Sequence, residues 1–318
     1  MVFLVTGGAG FIGSNIVKEL LLRGEQVKVL DNFSTGRRSN LSDFKDNPNL
    51  EVIEGDLRSF HIVRQAVKGV DFILHQGALP SVPRSVNDPI TSNDVNISGT
   101  LNILEAAKEY GVKRVVFASS SSVYGNNPTL PKEEGMPVSP LSPYAVTKYA
   151  AERYCQVFYQ IYGLETVALR YFNVFGPRQD PTSQYSAVIP KFINMIMNDQ
   201  QPVIYGDGTQ SRDFTFVENN VMANILACTA PLAAGEVFNI ACGERFTLID
   251  LVNGINKILG KNIEPVFKEQ RAGDVKHSMA DITKAKEKLG FQVKVDFYTG
   301  LEKTVEYFIK SLSANRRG

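Results

Sequence analysis

The sequence predicts a doubly wound parallel α/β fold with a smaller, interleaved C-terminal α/β lobe. Three observations carry this expectation. Short β-branched runs alternate with amphipathic segments through the first half, the runs are apolar on both faces, and a glycine-rich turn joins the first strand to the first helix. Strands covered by helices on both faces read as continuous apolar runs, whereas half-exposed strands alternate apolar with polar.

The elements follow in order. FLVTG (3–7) is the first strand. The next segment, FIGSNIVKELLLRG, puts Ile12, Ile16, Val17 and Leu20 on one stripe and stops at Gly24. QVKVLD (26–31), LEVIEG (50–55), DFILHQ (71–76) and RVVFAS (114–119) supply the next four strands. Before the last of them, SGTLNILEAAKEYGV forms a helix ended by Gly111. LSPYAVTKYAAERY opens with Ser142 as a capping hydroxyl and Pro143 at the first helical position, which predicts a helix over 144–162. TVALRYF (166–172) and EVFNIA (236–241) are the sixth and seventh strands. Segments 176–213 and 243–318 hold more prolines, longer loops and isolated helices, including AVIPKFINMIMN and GLEKTVEYFIKS. The expected division is therefore 1–175 plus 214–242 for the sheet domain and 176–213 plus 243–318 for the second lobe. No internal repeat or low-complexity segment interrupts it.

Composition narrows the function. A chain of 318 residues buries a large core, and 34 basic against 33 acidic residues leave a net charge of +1. There is no basic excess for nucleic acid, and the Arg316-Arg317 tail reads as solvated. No apolar run approaches a membrane span, and an opening strand leaves no room for a signal peptide. Cys155, Cys228 and Cys242 lack metal-ligand spacing, and His61, His75 and His277 are scattered. Neither a metal site nor a disulfide framework is expected, and a reduced cytoplasmic setting fits.

The first strand runs into TGGAGFIG, where Gly7, Gly10 and Gly13 form G-x-x-G-x-x-G. The first glycine permits the tight turn, the second lets a pyrophosphate approach the backbone, and the third lets helix pack on strand. A helix starting near Phe11 and Ile12 would aim its N-terminal amides at that anion. Asp31 ends the second strand 18 residues after Gly13. A carboxylate there accepts bonds from an adenosine ribose and repels a 2′-phosphate, so the cofactor expected is NAD, with Arg37 and Arg38 keeping NADP open. Asp56 and Leu57 end the third strand, where the aspartate either binds adenine or makes a strand-terminal turn. Asn32, Gln76 and Ala78 complete the candidate cofactor set.

The fifth strand runs into SSSSVYG, Ser119 to Gly125, at the sheet edge where such folds bind ligands. On the following helix Tyr144 and Lys148 stand four residues apart and so share a face. Alone, such a pair is a surface tyrosine packed on a lysine stem, and the serines are a polar turn. Together with the glycine turn they suggest an acid–base couple. A phenol has a pKa of about 10. A neighbouring ammonium, an oxidised nicotinamide and a helix N-terminus all favour phenolate, so a lowered phenol pKa is expected.

TGGAGFIG, the S-S-S-x-V-Y-G strand and SPYAVTK resemble the extended short-chain dehydrogenase/reductase family, specifically its nucleotide-sugar 4-epimerases, over nearly the whole chain. The resemblance implies a Rossmann domain with bound NAD, Tyr144 as base, and Lys148 as its tuner and ribose ligand. It implies Ser120 as the substrate-binding serine, with Ser121 and Ser122 assisting. Further on, LRYFNVFGPRQD, VIPK (188–191), GDGTQSRDF (206–214) and QRAGDVKHS (270–278) resemble UDP-binding elements. By that likeness Asn173, Arg212 and Arg271 face the diphosphate, Asp274 the uridine ribose, and the main chain near Val203 and Tyr205 the uracil. Val188 and Lys191 complete the substrate set. Guanidinium forks suit a diphosphate, and surface ion pairs are the other reading of the two arginines.

The family's gatekeeper falls on Ser278, seven residues past Arg271, where serine leaves space for a 2-acetamido group. Ser81 and Gln179 resemble the enzymes that prefer N-acetylated sugars, although Pro80 stands where glycine is expected. Arg84 leaves room for a carboxylated sugar. The implied activity is C4 inversion of UDP-N-acetylglucosamine and UDP-N-acetylgalactosamine, with UDP-glucose and UDP-galactose alongside. The alternatives are a UDP-glucuronic acid 4-epimerase or decarboxylase, and more remotely a non-catalytic NAD-sensing regulator. Val146, Tyr149, Ala150, Tyr154, Val157, Phe158, Ile161 and Tyr162 give helix 144–162 more apolar surface than one core-facing stripe needs. The family likeness turns that into a homodimer through a four-helix contact with the helix near 99–110.

Overall fold

The computed structural model describes residues 1–180, 187–269 and 276–315. Its centre is a seven-stranded sheet of β1 (Val2–Thr6), β2 (Gln26–Asp31), β3 (Leu50–Glu54), β4 (Phe72–His75), β5 (Arg114–Ser120), β6 (Glu165–Tyr171) and β7 (Val237–Ile240). Every pairing is parallel, in the order β3-β2-β1-β4-β5-β6-β7. All seven strands read from the sequence are therefore present. Successive residues alternate between the faces: Val5 and Val29 pack with Ile16, Val17 and Leu20 of α1 (Phe11–Leu22), while Leu4 and Leu30 pack on the opposite core. That second core takes Val63 of α2 (Phe60–Val67), Leu104 of α5 (Gly99–Glu109) and Phe158 of α6 (Pro143–Tyr162). Each large aliphatic or aromatic side chain buried on either face contributes about 1.5–3 kcal/mol, which is what the continuous apolar runs accomplish.

The strand order reverses between β1 and β4, which opens a crevice at the carboxyl edge. Gly7, Gln76, the serines after β5 and the residues after β6 all emerge there. Between β4 and α5 the chain forms α3 (Val82–Asn87), α4 (Pro89–Asn93) and one π turn (Asp94–Ser98), which were not legible in the sequence. Helix α6 begins as expected: the Ser142 hydroxyl accepts from the Ala145 amide at 3.1 Å, with Pro143 in the first turn. It ends at Gly163, whose φ of 71° closes the helix in the left-handed region.

The remaining chain carries α7 (Val188–Met197), α8 (Val217–Thr229), α9 (Leu248–Leu259), α10 (Thr283–Leu289) and α11 (Phe297–Asn315). Three two-stranded pairs join these helices: 174–175 with 215–216, 211–212 with 246–247, and 203–205 with 266–268. Strands of two or three residues leave no periodicity, so the sequence did not reveal them. An aromatic cluster of Phe175, Phe214, Phe216, Phe246 and Phe297 packs them together, with Phe246 and Phe297 stacked at 4.2 Å. Among the described residues no helix is long and apolar enough to cross a membrane.

Candidate active site

A cleft of about 830 Å³ runs along the carboxyl edge of the sheet. It is lined at one end by Gly7, Gly10, Phe11, Ile12 and Gly13. Gly7 turns with a φ of 65°, and the Gly10 amide donates to its carbonyl at 3.0 Å. A Cβ on Gly13 would stand 2.2 Å from that same carbonyl oxygen, so only glycine lets α1 start so close to β1. No side chain caps α1, and Gly10 is its N-cap. The uncapped helix start, with backbone on every side, fits a dinucleotide pyrophosphate.

Asp31 lines the next part of the cleft and is nearly buried. Its carboxylate accepts from the Ala9 amide at 2.9 Å and the Phe33 amide at 2.8 Å, tying the glycine turn to the end of β2. Burial pushes this carboxyl above its ordinary value while the two amides pull it back. Asp56 and Asn32 also line the cleft and are bonded to each other at 3.0 Å. The Arg58 guanidinium draws Asp56 down to about 2. Leu57 is nearly buried beside them. Arg37 is paired with Asp180 at 2.5 Å, and Arg38 pairs with Glu54 at 2.6 Å while lying over the Phe33 ring.

Gln76 and Ala78 line the floor after β4. Two residues that sequence reasoning missed hold Gln76 in place. The Tyr171 hydroxyl donates to Gln76 Oε1 at 3.2 Å and accepts from Asn224 Nδ2 at 2.6 Å, and Gln76 Nε2 donates to Asn224 Oδ1 at 3.0 Å. Asn96 was missed too. From the π turn it exchanges bonds with both backbone groups of Leu79 and donates to Thr147 Oγ1 on α6 at 3.0 Å. Buried polar residues at otherwise apolar helical positions were the available signal.

Tyr144 and Lys148 line the same cleft, one turn apart on α6. The Lys148 ammonium is buried, donates to the Ala118 carbonyl at 2.7 Å, and lies 6.0 Å from the centre of the Tyr144 ring. Ser120 follows at the end of β5 and accepts from the Ser122 amide at 3.2 Å and the Ser122 hydroxyl at 2.9 Å. Ser121 and Ser122 lie in the 3-10 turn Ser121–Tyr124. The protein's own groups act on the phenol in the opposite sense to the lowered pKa expected with an oxidised nicotinamide beside it. Burial pushes the Tyr144 phenol above its usual value, and a hydrogen bond with Ser120 offsets only part of the rise. The same burial brings Lys148 down to about 8. Sequence spacing showed the pair but not the desolvation that acts on both members.

Ser81, Pro80, Arg84 and Gln179 also line the cleft. Ser81 holds a φ of 95°, unusual for a residue with a side chain, and caps α3 by accepting from the Arg84 amide at 3.3 Å. Gln179 Nε2 donates to the Val174 carbonyl at 3.3 Å, and its Oε1 is buried without a partner among the described residues.

The other substrate candidates do not line this cleft. Asn173 has a φ of 33° and donates to the Asp213 carbonyl at 3.3 Å. Val188 opens α7 with Lys191 exposed one turn on, while Val203 and Tyr205 lie on a short strand paired with 266–268. Arg212 donates to the carbonyls of Ser211 at 3.0 Å and Lys276 at 3.1 Å. The Ser278 amide donates to that Ser211 carbonyl at 3.0 Å, so Ser278 and Arg212 are neighbours. Arg271 and Asp274 lie outside the described residues.

Comparison with known proteins gives three kinds of match. A family model described as the NAD dependent epimerase/dehydratase family matches residues 3–241. A putative UDP-glucose 4-epimerase of Methanocaldococcus jannaschii is 38% identical over 96% of this chain and 97% of that protein. Among solved structures, the UDP-N-acetylglucosamine 4-epimerase from Methanobrevibacter ruminantium M1, in complex with UDP-N-acetylmuramic acid, is 44% identical with a TM-score of 0.93, covering 97% of this chain and 98% of that one. The UDP-glucuronic acid 4-epimerase from Bacillus cereus, in complex with UDP-glucuronic acid and NAD, is 33% identical with a TM-score of 0.91, covering 98% and 100%.

Proposed function

The chain belongs to the NAD dependent epimerase/dehydratase family, and from that premise we propose that this UDP-sugar 4-epimerase inverts C4 of UDP-N-acetylglucosamine and UDP-N-acetylgalactosamine, with UDP-glucose and UDP-galactose as further substrates. One observation carries the reading. The glycine cradle, Asp31, Tyr144 and Lys148 share a single cleft, so an acid–base tyrosine stands in the cofactor's own site.

NAD is the cofactor: when bound, it supplies the hydride acceptor and donor for C4 and a positive charge at the catalytic end. Gly7, Gly10, Phe11, Ile12 and Gly13 would hold its pyrophosphate, Asp31 and Asn32 its adenosine ribose, Asp56 and Leu57 its adenine, and Gln76, Ala78 and Lys148 its nicotinamide half. Tyr144 takes the proton from the 4-hydroxyl. Ser120, at the end of β5 beside the phenol, orients the reacting oxygen, with Ser121 and Ser122 next to it. Lys148, with its pKa near 8, still carries charge at pH 7 and favours the phenolate. The 4-keto sugar turns about its diphosphate linkage, and Tyr144 returns the proton after inversion.

The UDP moiety is assigned to the second set of residues. Asn173, Arg212 and Arg271 take the diphosphate, Asp274 the uridine ribose, and the main chain near Val203 and Tyr205 the uracil, with Val188 and Lys191 alongside. Ser278, a small residue beside Arg212, would leave room for a 2-acetamido group, and Ser81 and Gln179 would serve the sugar. This division assigns 1–175 plus 214–242 to the cofactor and 176–213 plus 243–318 to the UDP-sugar. The exposed Val146, Ile161 and Tyr162 on α6 support a homodimer through a four-helix contact, and three free cysteines fit the cytoplasm.

Arg84 in the cleft favours one second reading, a carboxylated sugar. Incubating the protein with UDP-N-acetylglucosamine, UDP-glucose and UDP-glucuronic acid and separating the products chromatographically tests both. The N-acetylated sugar should be converted most efficiently. Conversion of UDP-glucuronic acid alone would overturn the proposal.

A further inference from the structure

Two buried charges, one farther along α6 and one on β6, take no part in the chemistry above. Glu152 and Arg170 are 1% and 4% exposed and form a two-pronged pair, Nη2 to Oε1 at 2.6 Å and Nε to Oε2 at 3.0 Å. The Ser119 hydroxyl donates to Glu152 Oε2 at 2.7 Å. Ser119 and Arg170 are direct register partners across β5 and β6, each one residue before the edge pair Ser120 and Tyr171. A single carboxylate therefore grips both strands just where they deliver Ser120 to the phenol and Tyr171 to Gln76. The guanidinium is fixed in turn, lying 4.8 Å from the centre of the Tyr124 ring and donating to the Glu134 carbonyl at 3.3 Å.

Tyr144, Lys148 and Glu152 are spaced i, i+4 and i+8 on α6, within one stripe of the helix. Glu152 sits roughly 6 Å along the axis from Lys148 and about 12 Å from Tyr144. We propose that Glu152 is a positioning residue for the epimerisation: its grip on Arg170 and Ser119 fixes the rotation and depth of α6, and so sets Tyr144 and Lys148 against Ser120. A buried ion pair is a poor means of adding stability, because the desolvation it requires often cancels the attraction. What a forked pair supplies, and an apolar contact does not, is direction.

The inference rests on the proposed epimerase reading, so its test has one arm that needs no turnover. Glu152→Gln keeps the shape and loses the charge. Its kcat for UDP-N-acetylglucosamine should fall by about 10-fold or more, the scale expected of a small misplacement at a reacting centre, with KM and bound NAD nearly unchanged. Amide hydrogen exchange over residues 144–148 should quicken in the same variant. Adding Arg170→Gln, which restores a neutral bridge, should recover much of the kcat. Leu301→Ala, a core change in α11 that lowers the melting temperature, should leave kcat unaltered.

A Glu152→Gln kcat within about twofold of wild type, or a loss that Leu301→Ala reproduces, would overturn the proposal. If Glu152→Gln does not fold, Ser119→Ala carries the test, because it removes one bond to Glu152 and leaves both charges paired. It should lower kcat by about threefold with KM unchanged, and an unaltered kcat would equally overturn the idea. Wild-type protein inactive on every UDP-sugar would count against the epimerase reading, and hydrogen exchange would still decide the anchoring.

Discussion

Replacing Gly13 by alanine probes the cofactor cradle at the point of least space. The new Cβ would lie 2.2 Å from the Gly7 carbonyl oxygen and 2.9 Å from both the Gly7 carbonyl carbon and Gly8 Cα, where ordinary contact begins at 3.4 Å. The shortfall to the oxygen is 3.4 − 2.2 = 1.2 Å, and the three nearest atoms are all main chain, so no side chain can rotate away. Either α1 lifts from β1 or the Gly7 turn opens, and both movements displace the amides that hold pyrophosphate. Overpacking of this kind costs about 1–3 kcal/mol. If the cofactor-binding conformation bears that cost, NAD affinity falls by about 5- to 140-fold, at about 1.4 kcal/mol per decade. Measuring NAD co-purified with the protein, and its affinity by calorimetry on stripped protein, reads the loss. A variant that binds NAD within about twofold of wild type would refute the argument that glycine is needed there for backbone approach.

Two further predictions concern acid stability and assembly. His75 is fully buried between the Thr6 hydroxyl at 2.6 Å and the Thr100 hydroxyl at 3.0 Å, and burial brings its pKa down to about 3. Below about 6.5 the unfolded chain takes up a proton that the fold refuses, so stability is lost as pH falls from there toward 3, by about 1.4 kcal/mol per unit. His75→Gln lacks this loss, so its stability deficit against wild type in urea unfolding should shrink by about 2 kcal/mol between pH 6.5 and pH 5. A constant deficit would contradict the assignment. Light scattering at micromolar concentration should give twice the chain mass, because Ile161 and Tyr162 are 68% and 53% exposed at one end of α6. A monomer would contradict the dimer.

The sheet and the cofactor half were legible because their signals are local. Runs such as FLVTG and RVVFAS are apolar on both faces because both faces are covered, and the Gly7–Gly13 spacing encodes a turn whose steric reason is visible within eight residues. Ser142 and Pro143 marked the start of α6 for the same reason. The substrate half was less legible because its framework consists of strands as short as Ser211–Arg212, held by long-range pairing. Tyr171 read as a strand residue, and its bonds to Gln76 and Asn224 link positions 95 and 53 residues apart. The desolvation acting on Tyr144 was not legible because the helix spacing reveals the attracting charge, while burial depends on how β5, α6 and the Ser120 turn pack. Glu152 went unremarked because a glutamate on an amphipathic helix ordinarily faces solvent, and only Arg170 from the next strand makes its burial tolerable.

Tyr144→Phe is the most direct test, assayed by separating UDP-N-acetylglucosamine from UDP-N-acetylgalactosamine while measuring bound NAD. The variant keeps every ring contact and removes only the hydroxyl. It should retain its NAD and fold while conversion falls by about 10²–10⁴, the range expected for losing a general acid–base group. Conversion within about tenfold of wild type, with NAD still in place, would contradict the claim that this phenol moves the C4 hydroxyl proton.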